Sequence, residues 1–241
     1  MITKQTSDFS TVDFVTGETL LIDKPLHWSS FKVIHKLRQI IGVKKIGHAG
    51  TLDPLATGLL IICTGKKTKQ ISTFQDLQKI YTGTITLGGV TASMDSEKEV
   101  TDIKPFNLIT EEEILTAKKL FEGEIEQTPP MYSAVNYGGK KLYELARKGK
   151  TVERSTRSIT VHNFSITKIA LPEIDFEITC SKGTYIRVLA NDLGEKLGCG
   201  AYLSGLRRTA IGDFSVSDAL TVEEFAEKYG KEALHFAGNE A

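Results

Sequence analysis

The sequence predicts an α+β fold built on a mixed, mainly antiparallel sheet, and three observations predict it. Strand and helix signals are interleaved irregularly, without the steady β-α-β alternation of a parallel sheet. Ile174, Phe176, Ile178 and Cys180 alternate with polar or charged neighbours, the period of a strand with one face in a core. Two helices carry their own start signals, Thr110 with Glu113 and Thr221 with Glu224, in the spacing of a capping box.

Taken in order, Glu18 to Asp23 reads as a strand, broken at Lys24-Pro25. Ser29 or Ser30 then caps a helix whose Phe31, Ile34, Leu37 and Ile41 form an apolar stripe, closed by Gly42. Gly47 to Gly58 holds three glycines and Pro54 and reads as a loop. A buried strand over Leu59–Thr64 and a half-exposed one over Tyr81–Leu87 follow. The capped helix from Thr110 runs through Phe121. Residues 127–157 carry Pro129-Pro130, Gly138-Gly139 and a short helix near Leu142–Arg147, an excursion from the core. The alternating strand ending at Cys180 turns at Lys182-Gly183 into a helix from about Thr184 to Leu197, and Thr221 opens the last helix.

At roughly 150 residues per domain, 241 residues make one large domain or two small ones, enough chain for a real core. The 40% hydrophobic and 25% charged residues exclude disorder as the main state. Apolar runs such as Leu59 to Cys63 fall far short of the roughly 18 residues of a membrane span. The polar start, Met1 to Ser10, lacks an export signal, so a cytoplasmic location is expected. Cys63, Cys180 and Cys199 have neither disulfide nor zinc-knuckle spacing and are expected as reduced core residues, and the scattered histidines propose no metal site.

Thirty basic and thirty acidic residues cancel, but their distribution is uneven. Between Lys24 and Lys69 there are nine bases and a single acid, Asp53, a local charge of +8. Lys140 to Arg157 adds a second basic block of +5. Two such blocks favour a polyanionic partner over simple solvation of helix faces. Neither phosphate-loop nor dinucleotide fingerprint is present, since Gly65-Lys66-Lys67-Thr68 has the wrong order. The most informative segment is Gly47-His48-Ala49-Gly50-Thr51-Leu52-Asp53-Pro54-Leu55-Ala56-Thr57-Gly58. Its proline holds Asp53 out of helical geometry. Asp-Pro alone would be read as a turn starter. Glycines on both sides that admit another backbone, and the cationic surroundings, instead favour a lone working carboxylate. A solitary acid suits a nucleophile better than glycoside hydrolysis, which normally takes two carboxylates.

That segment resembles the TruB family of tRNA pseudouridine synthases, as do Ile22-Asp23-Lys24-Pro25, Gln127-Thr128-Pro129-Pro130-Met131-Tyr132-Ser133-Ala134 and Ser181-Lys182-Gly183-Thr184-Tyr185-Ile186-Arg187. Leu142 to Arg147 and Leu206-Arg207-Arg208 are similar to it as well. The matches run in family order from about residue 18 to 214. The resemblance implies a single catalytic domain over residues 10–241, with the basic excursion at 127–157 clamping the RNA. Only 27 residues follow Phe214, too few for the C-terminal RNA-binding (PUA-type) module of many members. The catalytic domain is then expected to hold tRNA largely unaided, with weak, salt-sensitive binding.

The implied reaction isomerises uridine 55 in the T loop of tRNA: the base leaves the ribose through N1 and is rejoined through C5. By resemblance Asp53 is the catalytic aspartate. Tyr81 packs on the target base and assists removal of the C5 proton, and Arg187 pairs with Asp53. A guanidinium about 4 Å from a carboxylate contributes on the order of 4 kcal/mol of attraction at an effective dielectric near 20. That is enough to keep the carboxylate ionised and aimed. His48 resembles the residue that intrudes into the T loop as the base is extruded, a step that costs a few kcal/mol. Stacking on Tyr81 offsets much of that, roughly 1–3 kcal/mol. Lys24, Pro25 and Leu206 resemble pocket residues, and Tyr185 is expected beside Arg187. The implied partner is the tRNA T arm, with a monomeric enzyme, no cofactor, no metal and no membrane.

Two positions depart from the family pattern: His27 stands where many members carry glycine, and Asn136 where a lysine is common in the clamp. The competing reading is a non-catalytic RNA binder that uses Gly47-His48-Ala49-Gly50 as a KH-type loop. It leaves Asp53, Tyr81 and Arg187 without a role. A glycosidase or kinase lacks its second acid or its phosphate loop. Attack by Asp53 on ribose C1′, attack on ring C6, or removal of a ribose proton all use the same carboxylate and stay open.

Overall fold

The computed structural model describes residues 1–237. In chain order the elements are β1 (Thr19–Lys24), α1 (Ser30–Ile41), β2 (Ile46–His48), β3 (Ala56–Thr64), α2 (Ile71–Asp76), β4 (Lys79–Leu87), β5 (Val90–Thr91), β6 (Val100–Thr101), α3 (Glu111–Lys118), β7 (Gly123–Gln127), β8 (Asn136–Tyr137), β9 (Lys140–Lys141), α4 (Leu142–Ala146), β10 (Arg157–Ala170), β11 (Glu173–Cys180), α5 (Ile186–Leu197), β12 (Ala201–Ile211), β13 (Phe214–Ser215) and α6 (Val222–Ala237). They form two units, Met1–Tyr81 with Arg207–Ala241, and Thr82–Leu206. The chain crosses between them within β4 and within β12.

In the first unit β3 is the central strand. It is apolar along most of its length, and residues 58–64 are buried, as expected of a strand covered on both faces. It pairs antiparallel with β1 in the register Lys24↔Gly58 to Thr19↔Cys63, and with β2 in the register His48↔Ile62. The end of β12 lies on its other edge and carries β13. Helix α1 covers this sheet. Ser29 caps it by accepting from the Lys32 N–H, and Gly42 ends it in the left-handed conformation at φ 69°. Its buried stripe is Ser30, Val33, Ile34, Leu37 and Ile41. Phe31 is not part of it and stands 72% exposed. At about 100° per residue, Phe31 falls about 60° beyond Ile34, on the side away from Val33 and Leu37.

The polar reading of the N-terminus concealed three anchors. Ile2, Phe9 and Phe14 are buried, with Ile2 bridged to Leu20. Phe9 and Phe14 meet the rings of Phe225 and Tyr229 edge-on at 5.1–6.3 Å, in the preferred aromatic geometry. Helix α6 supplies those rings, and its predicted capping box is present: Thr221 N–H donates to Glu224 Oε2 at 2.8 Å and Glu224 N–H to Thr221 Oγ1 at 3.0 Å.

The second unit has the strand order β12–β4–β11–β10–β7. β10 pairs antiparallel with β11 and β7. The predicted alternation on β11 holds, with Ile174, Phe176, Ile178 and Cys180 all buried. Helix α3 begins with the complete Thr110/Glu113 capping box, then tightens into a 3-10 turn over Lys119–Phe121, so the predicted helix through Phe121 ends in two forms. The 127–157 excursion leaves this sheet at the end of β7 and returns at the start of β10. It holds the β8–β9 hairpin, turned by Gly138 and Gly139 at positive φ, and α4. Helix α5 starts at Ile186, two residues after the expected Thr184, because Tyr185 is still extended at φ −100°, ψ 105°. All three cysteines are free and buried, as expected. The pairs β1–β3, β2–β3, β10–β11, β10–β7 and β12–β13 are antiparallel, with parallel bridges such as Ile22↔Leu220 and Asp95↔Leu203, which makes the sheet mixed but mainly antiparallel.

Candidate active site

In the first unit the Gly47–Gly58 segment begins and ends as strand, and only residues 49–55 remain a loop between β2 and β3. That loop is held by its backbone. Ala49 N–H donates to Ile61 O at 2.9 Å. Ser30, at the start of α1, receives the Leu52 N–H at 2.8 Å and returns its hydroxyl to Leu52 O at 3.1 Å. His27 N–H and Lys24 Nζ both reach Pro54 O, at 2.8 and 3.4 Å. Arg208 donates through Nη2 to Gly50 O at 3.0 Å and through Nε to Leu59 O at 2.8 Å. Two fully buried cations, Lys24 and Arg208, thus tie down the loop by hydrogen bonds to its backbone carbonyls. Asp53 sits half-buried between these anchors, with the adjacent Pro54 exposed.

Lys24 also donates to Pro25 O at 2.9 Å and Trp28 O at 2.5 Å. Burial pushes its pKa down to about 8, with the Arg208 charge pushing the same way, while Asp53 and Asp23 pull it back up. At neutral pH the ammonium is therefore retained, and it is the nearby carboxylates and carbonyls that retain it. Burial, then the Arg208 charge, lowers the pKa of half-buried His48, against a raising interaction with the Gly50 backbone carbonyl, which accepts. His48 is accordingly neutral at pH 7.

Gly58 explains why the segment ends in glycine. At φ 104° it faces Arg208 across the strands, and a Cβ there would lie 2.2 Å from the Arg208 carbonyl oxygen. His27 occupies the left-handed region at φ 63°, a conformation that glycine adopts without a Cβ penalty. A residue pair missed by sequence reasoning lies beside the loop. Arg207 forks onto Asp23, Nη1 to Oδ1 at 3.1 Å and Nη2 to Oδ2 at 2.6 Å, and reaches Thr57 Oγ1 at 3.4 Å. The adjacent Arg207 and Arg208 point to opposite faces of β12, one to an ion pair and one to buried carbonyls. Their adjacency in the sequence was the only available signal. Tyr81 is buried near the end of this unit's part of β4.

In the second unit Arg187 lies on the first turn of α5, 4% exposed, and donates through Nη1 to Ser93 O at 3.4 Å. Tyr185 stands beside it at the helix N-cap. The Arg187 guanidinium is 5.7 Å from the Tyr185 ring centroid, and that of Arg157 is 4.6 Å from it. Arg157 also donates to Gly183 O. Tyr185 has no side-chain cap; buried Gln127 takes that place, accepting the Tyr185 N–H on Oε1 at 2.7 Å and donating Nε2 to Tyr185 O at 3.1 Å. Leu206, half-buried, ends this unit's part of β12. Gln127 and Arg157 bracket the excursion, and neither had a sequence signal beyond its place in a motif.

Each unit therefore offers a charged group on a rigid support, a carboxylate in one and a guanidinium with an aromatic platform in the other. By comparison with known proteins the chain falls within the pseudouridylate synthases, which are isomerases. Residues 38–186 match the description TruB family pseudouridylate synthase (N terminal domain), and residues 187–235 match tRNA pseudouridylate synthase B C-terminal domain. The chain belongs to the TruB family. It is 51% identical to tRNA pseudouridine synthase B of Flavobacterium johnsoniae over 89% of this chain and 97% of that one. It is 48% identical to the protein of the same name from Phocaeicola vulgatus, over 95% and 100%. A chain of a crystallised Cbf5–Nop10–Gar1 complex superposes with a TM-score of 0.69 at 28% identity, over 89% of this chain and 54% of that one, so this chain spans about half its length. Among the described residues no helix is long and apolar enough to cross a membrane.

Proposed function

We propose that the chain isomerises uridine 55 in the T loop of tRNA to pseudouridine, with Asp53 as the nucleophile and the T arm as partner. The N1–C1′ bond breaks, the base turns, C5 bonds to C1′, the C5 proton leaves and N1 gains one. Bonds and electrons balance, so no co-reactant is consumed, and the proposed reaction runs on the chain's own residues without cofactor or metal. Residues 10–241 act as one catalytic domain, monomeric and cytoplasmic, with the basic 127–157 excursion on the RNA.

The observation that carries this reading is the Asp53 loop. Its backbone is fixed on both sides of Asp53 by Ser30, Lys24 and Arg208, which gives the carboxylate the rigid support a nucleophile requires. Relatives called tRNA pseudouridine synthase B, nearly equal to this chain in length, support tRNA as the substrate. The roles of the other residues follow the family resemblance and are part of the proposal. Tyr81 stacks on the extruded base and assists loss of the C5 proton. Arg187 is the cation for Asp53, and Tyr185 its neighbour. His48, neutral by virtue of its burial, enters the T loop, and Lys24, Pro25 and Leu206 line the pocket.

Tritium release from C5-labelled uridine in a minimal T-arm hairpin tests the reading. Asp53→Asn should lower the rate at least about a thousandfold while the variant still binds the hairpin. Release by the variant at the wild-type rate would remove Asp53 as the nucleophile, and no release by the wild type would leave a binding protein as the better description.

A further inference from the structure

The outward face of α1 has no role in the proposed chemistry, yet it is unusual for a helix surface. Phe31, Lys32, His35, Lys36 and Gln39 are all exposed and share one side of the helix. Phe31 is 72% exposed and Leu26, just before the helix, 48%. Lys32 lies over the half-buried Trp28 ring at 4.4 Å, which fixes a cation on an aromatic base. The helix contains no acidic residue, and none occurs between Lys24 and Asp53. A solvated helix normally mixes both signs to support itself by i,i+4 pairs, and this one has only bases. The start of the helix, though not its outward face, is tied to the Asp53 loop. His27 N–H bonds Pro54 O, and Ser30 bonds Leu52 through both its lone pair and its proton.

We propose that this face, Leu26 to Lys36, is a second RNA contact surface, stacking one nucleobase on Phe31 and taking backbone phosphates on Lys32 and Lys36. The occupant is RNA because an exposed aromatic among unpaired cations matches a base flanked by phosphates. An RNA strand brings a phosphate with every nucleotide to Lys32 and Lys36, a denser negative charge than a protein surface of mixed sign supplies. The inference rests on the reading that the substrate is an RNA, and it extends that substrate's footprint beyond the isomerised uridine.

The test is equilibrium binding of the full chain to an unmodified tRNA transcript across a salt series. Phe31→Ala should weaken binding about fivefold to a hundredfold without changing the salt slope, and Phe31→Trp should stay within about twofold of wild type. Lys32→Gln and Lys36→Gln should each flatten the slope of log Kd against log salt by about 0.7–0.9. All three positions are exposed, so an unchanged thermal midpoint verifies that each variant is folded. Wild-type affinity and slope in every variant would overturn the proposal. Tritium release by the wild type, run alongside, separates the two readings. Normal release with unaltered binding sinks the second surface alone. Absent release, with binding lost in the α1 variants, sinks the isomerase reading and keeps the surface.

Discussion

The two units hold their key residues by different means. In the first, the Asp53 loop is secured by buried cations, Lys24 and Arg208, whose donors all go to backbone carbonyls. In the second, the turn before Arg187 is secured by a neutral amide, with Gln127 closing a two-bond ring on the Tyr185 backbone. The difference has a physical reason. A carboxylate that must stay ionised gains from nearby positive charge, and cations bonded to carbonyls supply it without consuming the carboxylate. An arginine keeps its charge without help, so a neutral latch suffices to place it.

The contrast predicts unequal sensitivity. The largest effect is expected at the close approach of β3 and β12. Gly58→Ala puts a methyl against the Arg208 backbone at a positive φ, and should cost more than about 4 kcal/mol of unfolding free energy, or prevent folding. A fully stable variant, measured by urea unfolding, would show that the strands can part there without loss.

A pH experiment sharpens the comparison. Lys24 titrates at about 8 in the folded chain and near 10.5 when unfolded. Between those values the unfolded chain holds the extra proton, so stability rises with pH there, and the cost of burying the charge is felt in full below pH 8. The unfolding free energy of wild type minus that of Lys24→Met should therefore increase by on the order of 2 kcal/mol from pH 8 to pH 10. A constant difference would mean that the ammonium is not the buried species.

The smallest effect belongs to the neutral latch. Gln127→Ala leaves the Tyr185 N–H without its partner, while the Tyr185 carbonyl keeps the Val188 and Leu189 N–H groups, and should cost about 1–2 kcal/mol. The cost should be the same at pH 7 and pH 9.5, because nothing in the latch titrates in that interval. A pH-dependent cost would erase the distinction between the two supports.

Much of this was legible beforehand where the signal is local. Ser29 and Gly42 bound α1, and Thr110 with Glu113 and Thr221 with Glu224 form the capping boxes, because a cap depends on residues within one turn. The alternation on β11 survived because a period of two fixes which side chains face a core. Other features escaped. The stripe of α1 was misjudged at Phe31, since sequence spacing defines an arc of the helix but not where its partner sheet begins. Ile2, Phe9 and Phe14 are scattered among polar residues, and only the aromatic cluster of α6, more than two hundred residues later, gives them a core to join.

The same division runs through the candidate site. By itself the sequence determined the caps, the buried strand Leu59–Thr64, the glycine-flanked Asp53 and the family motifs, all of which are encoded by neighbours along the chain. Only the tertiary structure decided that Lys24 and Arg208 are buried cations spent on carbonyls, that Arg207 forks onto Asp23, and that Gln127 caps the turn ahead of Arg187. Those assignments pair residues 58 to 184 positions apart or set a charge in a core. Both depend on which strands become neighbours, and no local pattern carries that information.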